Sequence, residues 1–272
     1  MTCRCPLKLP NTLIECLNQL IEWRKRIAVV FGLMGVLLCF YGLVPEVSRL
    51  KKGTIDVVRW KKPSGKESLT VGSEIPGWIG LNQISLHLVH AILVAEDARF
   101  YDHIGVDFHE IWVSFLTNIE HGKIVRGAST ITQQLVKITL LHRKKTFLRK
   151  IREIFGAIIL EQSISKEKIL TWYLNLIEFG DGVCGINEAS YHYFKTRPEL
   201  LTIVQAVHLA LVLPSPNRFS KGLRQKRLTE FGHSRFYMIL TKMLSAGYIT
   251  EGQLQQAMAT GNFGSPIVRS ST

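Results

Sequence analysis

Ala91-Ile-Leu-Val-Ala-Glu96-Asp97-Ala-Arg99-Phe100-Tyr-Asp-His103-Ile-Gly105 opens the stretch around which the chain is organised, and Arg149-Lys150-Ile-Arg152-Glu153 closes it. Between them runs Arg126-Gly127-Ala-Ser129-Thr-Ile-Thr-Gln133-Gln134-Leu-Val-Lys137. Leu88, Val89, Ile92, Leu93 and Ala95 repeat at helical spacing, which predicts a helix from Leu86 that delivers Glu96 near its end. Partial burial beside the like charge of Asp97 would raise the pKa of Glu96 and make it a usable base. A salt bridge to Arg99 is the plainer reading. Glu153 shares a helix with Arg149, Lys150 and Arg152, where the plain reading is a surface ion-pair ladder. If both acids face one cleft, the cations around them fit transfer chemistry on an anionic substrate.

Outward from this stretch the pattern stays helical. Phe108 to Glu120 carries Ile111, Trp112, Phe115, Leu116 and Ile119 on one side, either as core or as an apolar surface that dips into lipid. Ser129 is placed to cap a helix from Thr130 to Leu141. Helices are expected over Phe147 to Glu161, where Lys150 and Glu153 are surface neighbours, and from a Ser165 cap to Leu176. Gly180, Gly182 and Gly185 make a permissive turn. Further helices follow over Ile186 to Phe194, Leu200 to Leu213, His233 to Ser245 and Glu251 to Ala259, with Pro214-Ser-Pro216 ending the second of these. Upstream, Thr54 to Trp60 and Glu67 to Val71 read as two extended runs that pair across Pro63-Ser-Gly65.

The balance of 34 Lys and Arg against 21 Asp and Glu, a formal net charge of +13 over 272 residues, favours nucleic acid, an acidic membrane surface or a phosphorylated substrate. The N-terminal part chooses among them. Ile27 to Val44 holds no charge, follows Arg24-Lys25-Arg26 and ends at Pro45, which reads as a retained anchor with a cytoplasmic N-terminus and an exported domain. A cleaved signal peptide and a buried core helix are the alternatives. Cys3, Cys5, Cys16 and Cys39 precede or lie in this anchor, so Cys184 alone falls in the exported domain and no internal disulfide is available there. The expected organisation is a cytoplasmic segment over 1–26, an anchor over 27–45, a linker or adapter over 46–80, a helical catalytic domain over 81–260 and a frayed tail over 261–272. With the basic residues beyond an export signal, and no nucleic-acid module recognised, nucleic acid is not an expected partner.

The ordered motifs resemble those of the glycosyltransferase family that polymerises bacterial peptidoglycan, in particular its monofunctional members. They are Glu96-Asp97-x-x-Phe100-x-x-His103-x-Gly105, then Arg126-Gly127-Ala128-Ser129-Thr130-Ile131-Thr132-Gln133-Gln134, then Arg149-Lys150-x-x-Glu153. Leu160-Glu161-x-x-x-Ser165-Lys166-x-x-Ile169-Leu170-x-x-Tyr173-Leu174-Asn175 and Glu178-Phe-Gly180-Asp-Gly182-Val-x-Gly185-Ile complete them. The resemblance covers roughly residues 75 to 250. It implies a mainly α, lysozyme-like domain preceded by a single transmembrane helix in the bacterial inner membrane.

By carry-over, Glu96 resembles the general base that deprotonates the 4-hydroxyl of an incoming lipid II, and Glu153 an orienting acid near the leaving diphosphate. Lys150 matches the cation that meets that diphosphate, with Arg126, Lys137 and Arg149 sharing its charge. Ser129, Gln133 and Gln134 either line the donor site or serve their helix; Asp97 either fixes its turn or contacts substrate. His103 reads as a tie from that turn to Asp97 or Asp107, and Tyr173 and Asn175 as packing and helix-end hydrogen bonding. No cofactor is required, though a divalent cation, Mg2+ or Mn2+, would assist at the diphosphate. Implied partners are lipid II, the lipid-linked glycan strand, the membrane and other cell-wall synthesis and division proteins.

Three positions depart from the family pattern. Ala128 replaces a common Gly, Ile138 stands where Asn often follows the Lys, and Lys221 where Pro often follows Phe-Ser. Ser163-Ile-Ser-Lys166 fits the Ser-x-x-Lys pattern of transpeptidases but lacks its companion elements. The rival readings are a lytic hydrolase, which needs a carboxylic acid as proton donor, and a membrane-tethered scaffold without turnover.

Overall fold

The computed structural model describes residues 23, 24, 26, 27, 30, 47–51, 53–61, 65–123, 127–141, 146–180 and 182–261. Contacts divide the chain into residues 1–44 and 45–272. Apart from Ile27 and Val30, the expected anchor over 27–45 lies outside the described residues, as does the tail beyond Gly261. Among the described residues, no helix is long and apolar enough to cross a membrane.

Two helices form the centre of the second unit. Helix α2 (Leu86–Glu96) buries six consecutive or near-consecutive positions, Leu88, Val89 and Ala91 to Val94. Helix α8 (Ile203–Val212) buries every residue from Ala206 to Val212. Helices apolar on all sides belong inside a core, and these two pack on each other, with helix α10 (Glu230–Ser245) lying against both. The core continues through α4 (Ile131–Leu140), α5 (Phe147–Ser163), α6 (Lys166–Leu176) and α7 (Ile186–Phe194). Helix α3 (Phe108–Glu120), helix α9 (Pro216–Arg224) and helix α11 (Glu251–Thr260) complete the helical part.

The segment expected as a linker is part of this unit. A short helix α1 (Ser48–Lys51) leads into strand β1 (Thr54–Lys61), which pairs antiparallel with β2 (Gly65–Gly72) from Thr54↔Gly72 to Lys61↔Gly65. Val47, Leu50, Ile55 and Val57 are buried in the same core as the helices. A second small hairpin, β3 (Glu178–Gly180) with β4 (Val183–Cys184), holds the glycine-rich turn. Gly180 has φ 110°, and a Cβ there would sit 2.4 Å from the Ser220 side chain of α9, so both conformation and space require glycine.

Local chemistry explains most helix starts and two departures from expectation. Thr130, not Ser129, caps α4: its hydroxyl accepts from the Gln133 N–H, and the Gln133 side chain returns to the Thr130 N–H. A capping box joins positions three apart, and the residue three before Gln133 is Thr130. The second departure is α9, where Pro216 starts a helix rather than only closing the previous one; proline at the first helical position loses no needed donor and has a helical φ already set. The apolar stripe of α3 has two readings in the sequence, core or an outward apolar surface, and the structure selects the second. Only Ser114 of that helix is buried, while Phe108, Trp112, Phe115 and Ile119 are exposed. The stripe is a surface, not core.

Candidate active site

The loop after α2 is fastened before any reactive group is considered. Asp97 is buried, and its carboxylate accepts from His103 Nε2 at 3.0 Å and from the Ile131 backbone N–H at 2.9 Å. The Gly105 N–H donates to His103 Nδ1 at 3.1 Å, so the ring carries its proton on Nε2. Thr130 Oγ1 donates to the Gly105 carbonyl at 2.7 Å, tying this turn to the start of α4. Lys166 donates to the carbonyls of Phe100 and His103 and pairs with Glu161 Oε2 at 2.7 Å; the other Glu161 oxygen accepts from Thr132 Oγ1. Of the two roles read for Asp97, the structure places it in fixing the turn. His103 ties to Asp97, not to Asp107, which instead caps α3.

Glu96 emerges at the end of α2 with donors on both oxygens. Gln134 Nε2 donates to Oε2 at 3.0 Å, and Arg235 Nη2 lies 3.3 Å from Oε1. Tyr173 O–H donates to Gln134 Oε1 at 3.1 Å, which orients the amide so that its NH2 meets the acid. Burial pushes the pKa of Glu96 up; the Gln134 hydrogen bond, Arg235 and Lys137 oppose that rise, and Asp97 adds to it. The raised pKa of the sequence reading is therefore present, with burial outweighing Asp97. The expected partner is not: Arg99 lies near Asp102 and Asp107 instead.

Glu153 is not part of a surface ladder. Its side chain is 4% exposed, with Lys150 Nζ 2.7 Å from Oε1 and Arg149 Nη1 3.4 Å from Oε2. Lys150 also donates to Ser129 Oγ at 2.9 Å, and its own side chain remains 40% exposed. Lys137 links the two acids. Loss of surrounding water lowers its pKa, Arg149 and Lys150 lower it further, and both Glu153 and Glu96 act to raise it. Lys137 still reaches solvent, so one accessible ammonium lies in the field of both carboxylates. Gln133 is buried in its capping box, with Nε2 finding no hydrogen-bond partner. Arg126 lies outside the described residues.

A largely enclosed acid with a raised pKa, a second acid held by two cations, and ammonium groups that reach solvent make one site from α2, α4, α5, α6 and α10. The Transglycosylase family profile matches residues 65–244, which contain every element of this site. The chain belongs to the transglycosylase family. It is 42% identical over 144 residues to the biosynthetic peptidoglycan transglycosylase of Methylobacillus flagellatus, across 53% of this chain and 63% of that relative. It is 40% identical to the protein of the same name from Nitrosospira multiformis, across 62% of this chain and 72% of that one. Penicillin-binding protein 1A of Aquifex aeolicus is 31% identical over 85% of this chain but only 33% of its own length. The chain thus spans a little under two thirds of the first of these relatives.

In this transglycosylase-family site, two contributors were not legible beforehand. Tyr173 reads as packing, and it is buried, but its hydroxyl also fixes Gln134. Arg235 carries no local signal, because it meets Glu96 across 139 positions of sequence. Asn175 makes the expected helix-end bond, donating to the Thr171 carbonyl one turn back, and in addition grips the Ile79 backbone through both ends of its amide, a long-range contact that helix-end chemistry did not announce.

Proposed function

We propose that the chain is an inverting peptidoglycan glycosyltransferase that polymerises lipid II into β-1,4-linked glycan with release of polyprenyl diphosphate. Glu96 accepts the proton of the 4-hydroxyl of the incoming lipid II as that oxygen forms its bond to C1 of the terminal MurNAc on the growing strand. The C1–O bond to the diphosphate breaks on the opposite face, and the electron pair leaves with the diphosphate. A diphosphate needs charge neutralisation more than a proton. Lys150 is the principal cation for it, with Lys137, Arg149 and Arg126 sharing the charge and Ser129 holding Lys150 in place.

The observation that carries this reading is the difference between the two acids. Glu96 is largely enclosed, with a side chain 12% exposed and a raised pKa, whereas both Glu153 oxygens accept from cations. A hydrolase needs a carboxylic acid that donates its proton to a sugar oxygen, and Glu153 is bound as an acceptor that orients Lys150 and Arg149. The same pairing makes this a poor donor set for a protein-held divalent ion. Mg2+ or Mn2+ would bind through the substrate's phosphate oxygens, and no step above depends on it.

A single N-terminal anchor over 27–45, with the catalytic unit on the periplasmic face of the inner membrane, fits a lipid-linked substrate. The exposed apolar side of α3 supports a unit that rests against the bilayer. Other wall-synthesis and division proteins are further partners in this proposal.

Purified full-length protein in detergent, given labelled lipid II, is expected to yield a ladder of lysozyme-sensitive glycan. Glu96→Gln and Lys150→Ala, each still folded, are expected to lower its rate by about 100-fold or more. Shortening of preformed glycan without a ladder would establish the hydrolase instead. Neither activity under varied lipid, detergent and metal conditions would leave a scaffold.

A further inference from the structure

Arg235 is the one cation at Glu96 that comes from outside the central motifs. It stands on α10, which docks along α2; about two turns further on, Lys242 of the same helix approaches the Val94 carbonyl at 3.5 Å. The Arg235 side chain is 16% exposed and its Nε–H is buried with no hydrogen-bond partner. Burying a guanidinium with an unsatisfied N–H opposes folding, so the position is hard to explain as an aid to stability. The ion pair it makes is with Glu96, at 3.3 Å.

We infer that Arg235 is a positioning residue for the base: with Gln134 on the other oxygen, it fixes the plane of the Glu96 carboxylate and keeps that carboxylate ionised at working pH. The inference rests on the glycosyltransferase reading above. Two donors, one per oxygen, leave Glu96 a lone pair on each oxygen and remove its freedom to rotate. Gln134 cannot reverse its amide without losing the Tyr173 hydroxyl.

The charges facing Glu96 can be named element by element. Asp97 follows it on its own element, Lys137 lies on α4, the buried Tyr173 on α6 and Arg235 on α10. Helix α8, also packed on α2, holds a single titratable side chain, His208, and that ring lies against Phe236. Arg235 and Lys137 are therefore the cations set against burial and Asp97.

A base must be ionised to accept a proton, so activity falls as pH drops through the Glu96 pKa. Loss of an opposite charge at this distance raises that pKa. In Arg235→Gln the acid limb of kcat/KM for polymerisation is expected to move up by about one pH unit or more. The rate then falls about tenfold below the limb and less on the alkaline plateau. Arg235→Lys, which keeps the charge, is expected to return the limb most of the way. A carbon-13 titration of the glutamate carboxyls in the full chain, with the Glu96 signal assigned by its loss in Glu96→Gln, should show the same displacement.

A uniform loss at all pH values, with an unmoved limb and an unmoved Glu96 titration, would overturn the inference. If Arg235→Gln does not fold, the double variant with Glu96→Gln decides. Recovery of the folded state assigns the defect to an unpaired carboxylate, and no recovery rejects the role. Failure of the wild type to make polymer would sink the glycosyltransferase reading, while the carboxyl titration still decides whether Arg235 governs Glu96.

Discussion

Glu96 accepts from one neutral amide and one guanidinium, while Glu153 accepts from an ammonium and a guanidinium four or fewer residues away. The local pair at Glu153 follows from helical spacing and is readable from Arg149-Lys150-x-x-Glu153. What the spacing does not tell is that Glu153 is buried, and burial converts a weak surface pair into a fixed acceptor for two cations. Another buried titratable group sits apart from the site. His208 is almost fully enclosed; burial, aided by His233, pushes its pKa down to about 4 from 6.5, against an opposing hydrogen bond with the Gly261 backbone. Folding favours the neutral ring, so its contribution is complete above pH 6.5 and is lost as pH falls from there through about 4. At the acid end the loss amounts to about 3 kcal/mol. His208→Leu is expected to remove that component, so between pH 7 and 4 the thermal unfolding midpoint of the wild type should fall further than that of the variant, with carboxylate effects common to both. Parallel curves would rule this out.

The helices owe their starts to short-range chemistry and their positions to a few tight approaches. Thr130, Thr202 and Thr250 each form a capping box with a Gln three residues on, and Thr146, Ser165 and Thr229 cap through their hydroxyls. At Gly105 the turn after α2 meets the middle of α5. Its φ is 93°, and a Cβ would stand 2.6 Å from the Ala157 carbonyl carbon and oxygen. Gly105→Ala is therefore expected to destabilise the unit by about 2–4 kcal/mol. Gly252→Ala, on α11 with nothing within 4 Å of the added methyl, is the matched control and should be neutral or slightly stabilising. Urea unfolding midpoints compare the two, and equal effects would mean that α5 shifts freely to accept the methyl.

At the scale of the whole molecule, the apolar side of α3 stands open among the described residues, with Trp112 and Phe115 exposed and stacked at 5.8 Å. For a polypeptide beginning at Pro45, the start of the second unit, Trp112→Glu is expected to weaken sedimentation with liposomes by about tenfold or more, since burying one such side chain is worth about 1.5–3 kcal/mol. Unchanged sedimentation of the folded variant would remove α3 from the membrane contact. The sequence by itself determined the helical class, the ends of α2 and α3, the β1–β2 pairing and the structural character of His103, because period, capping and turn chemistry act over a few residues. It also marked Glu96, Lys150 and Glu153, since the motifs that carry them are continuous. Tertiary structure alone decided that the α3 stripe faces outward, that Val47, Leu50, Ile55 and Val57 of the expected linker join the core, and that Arg235 meets Glu96. A periodic stripe states that a face is apolar, not what covers it, and a contact spanning 139 positions depends on how whole helices pack.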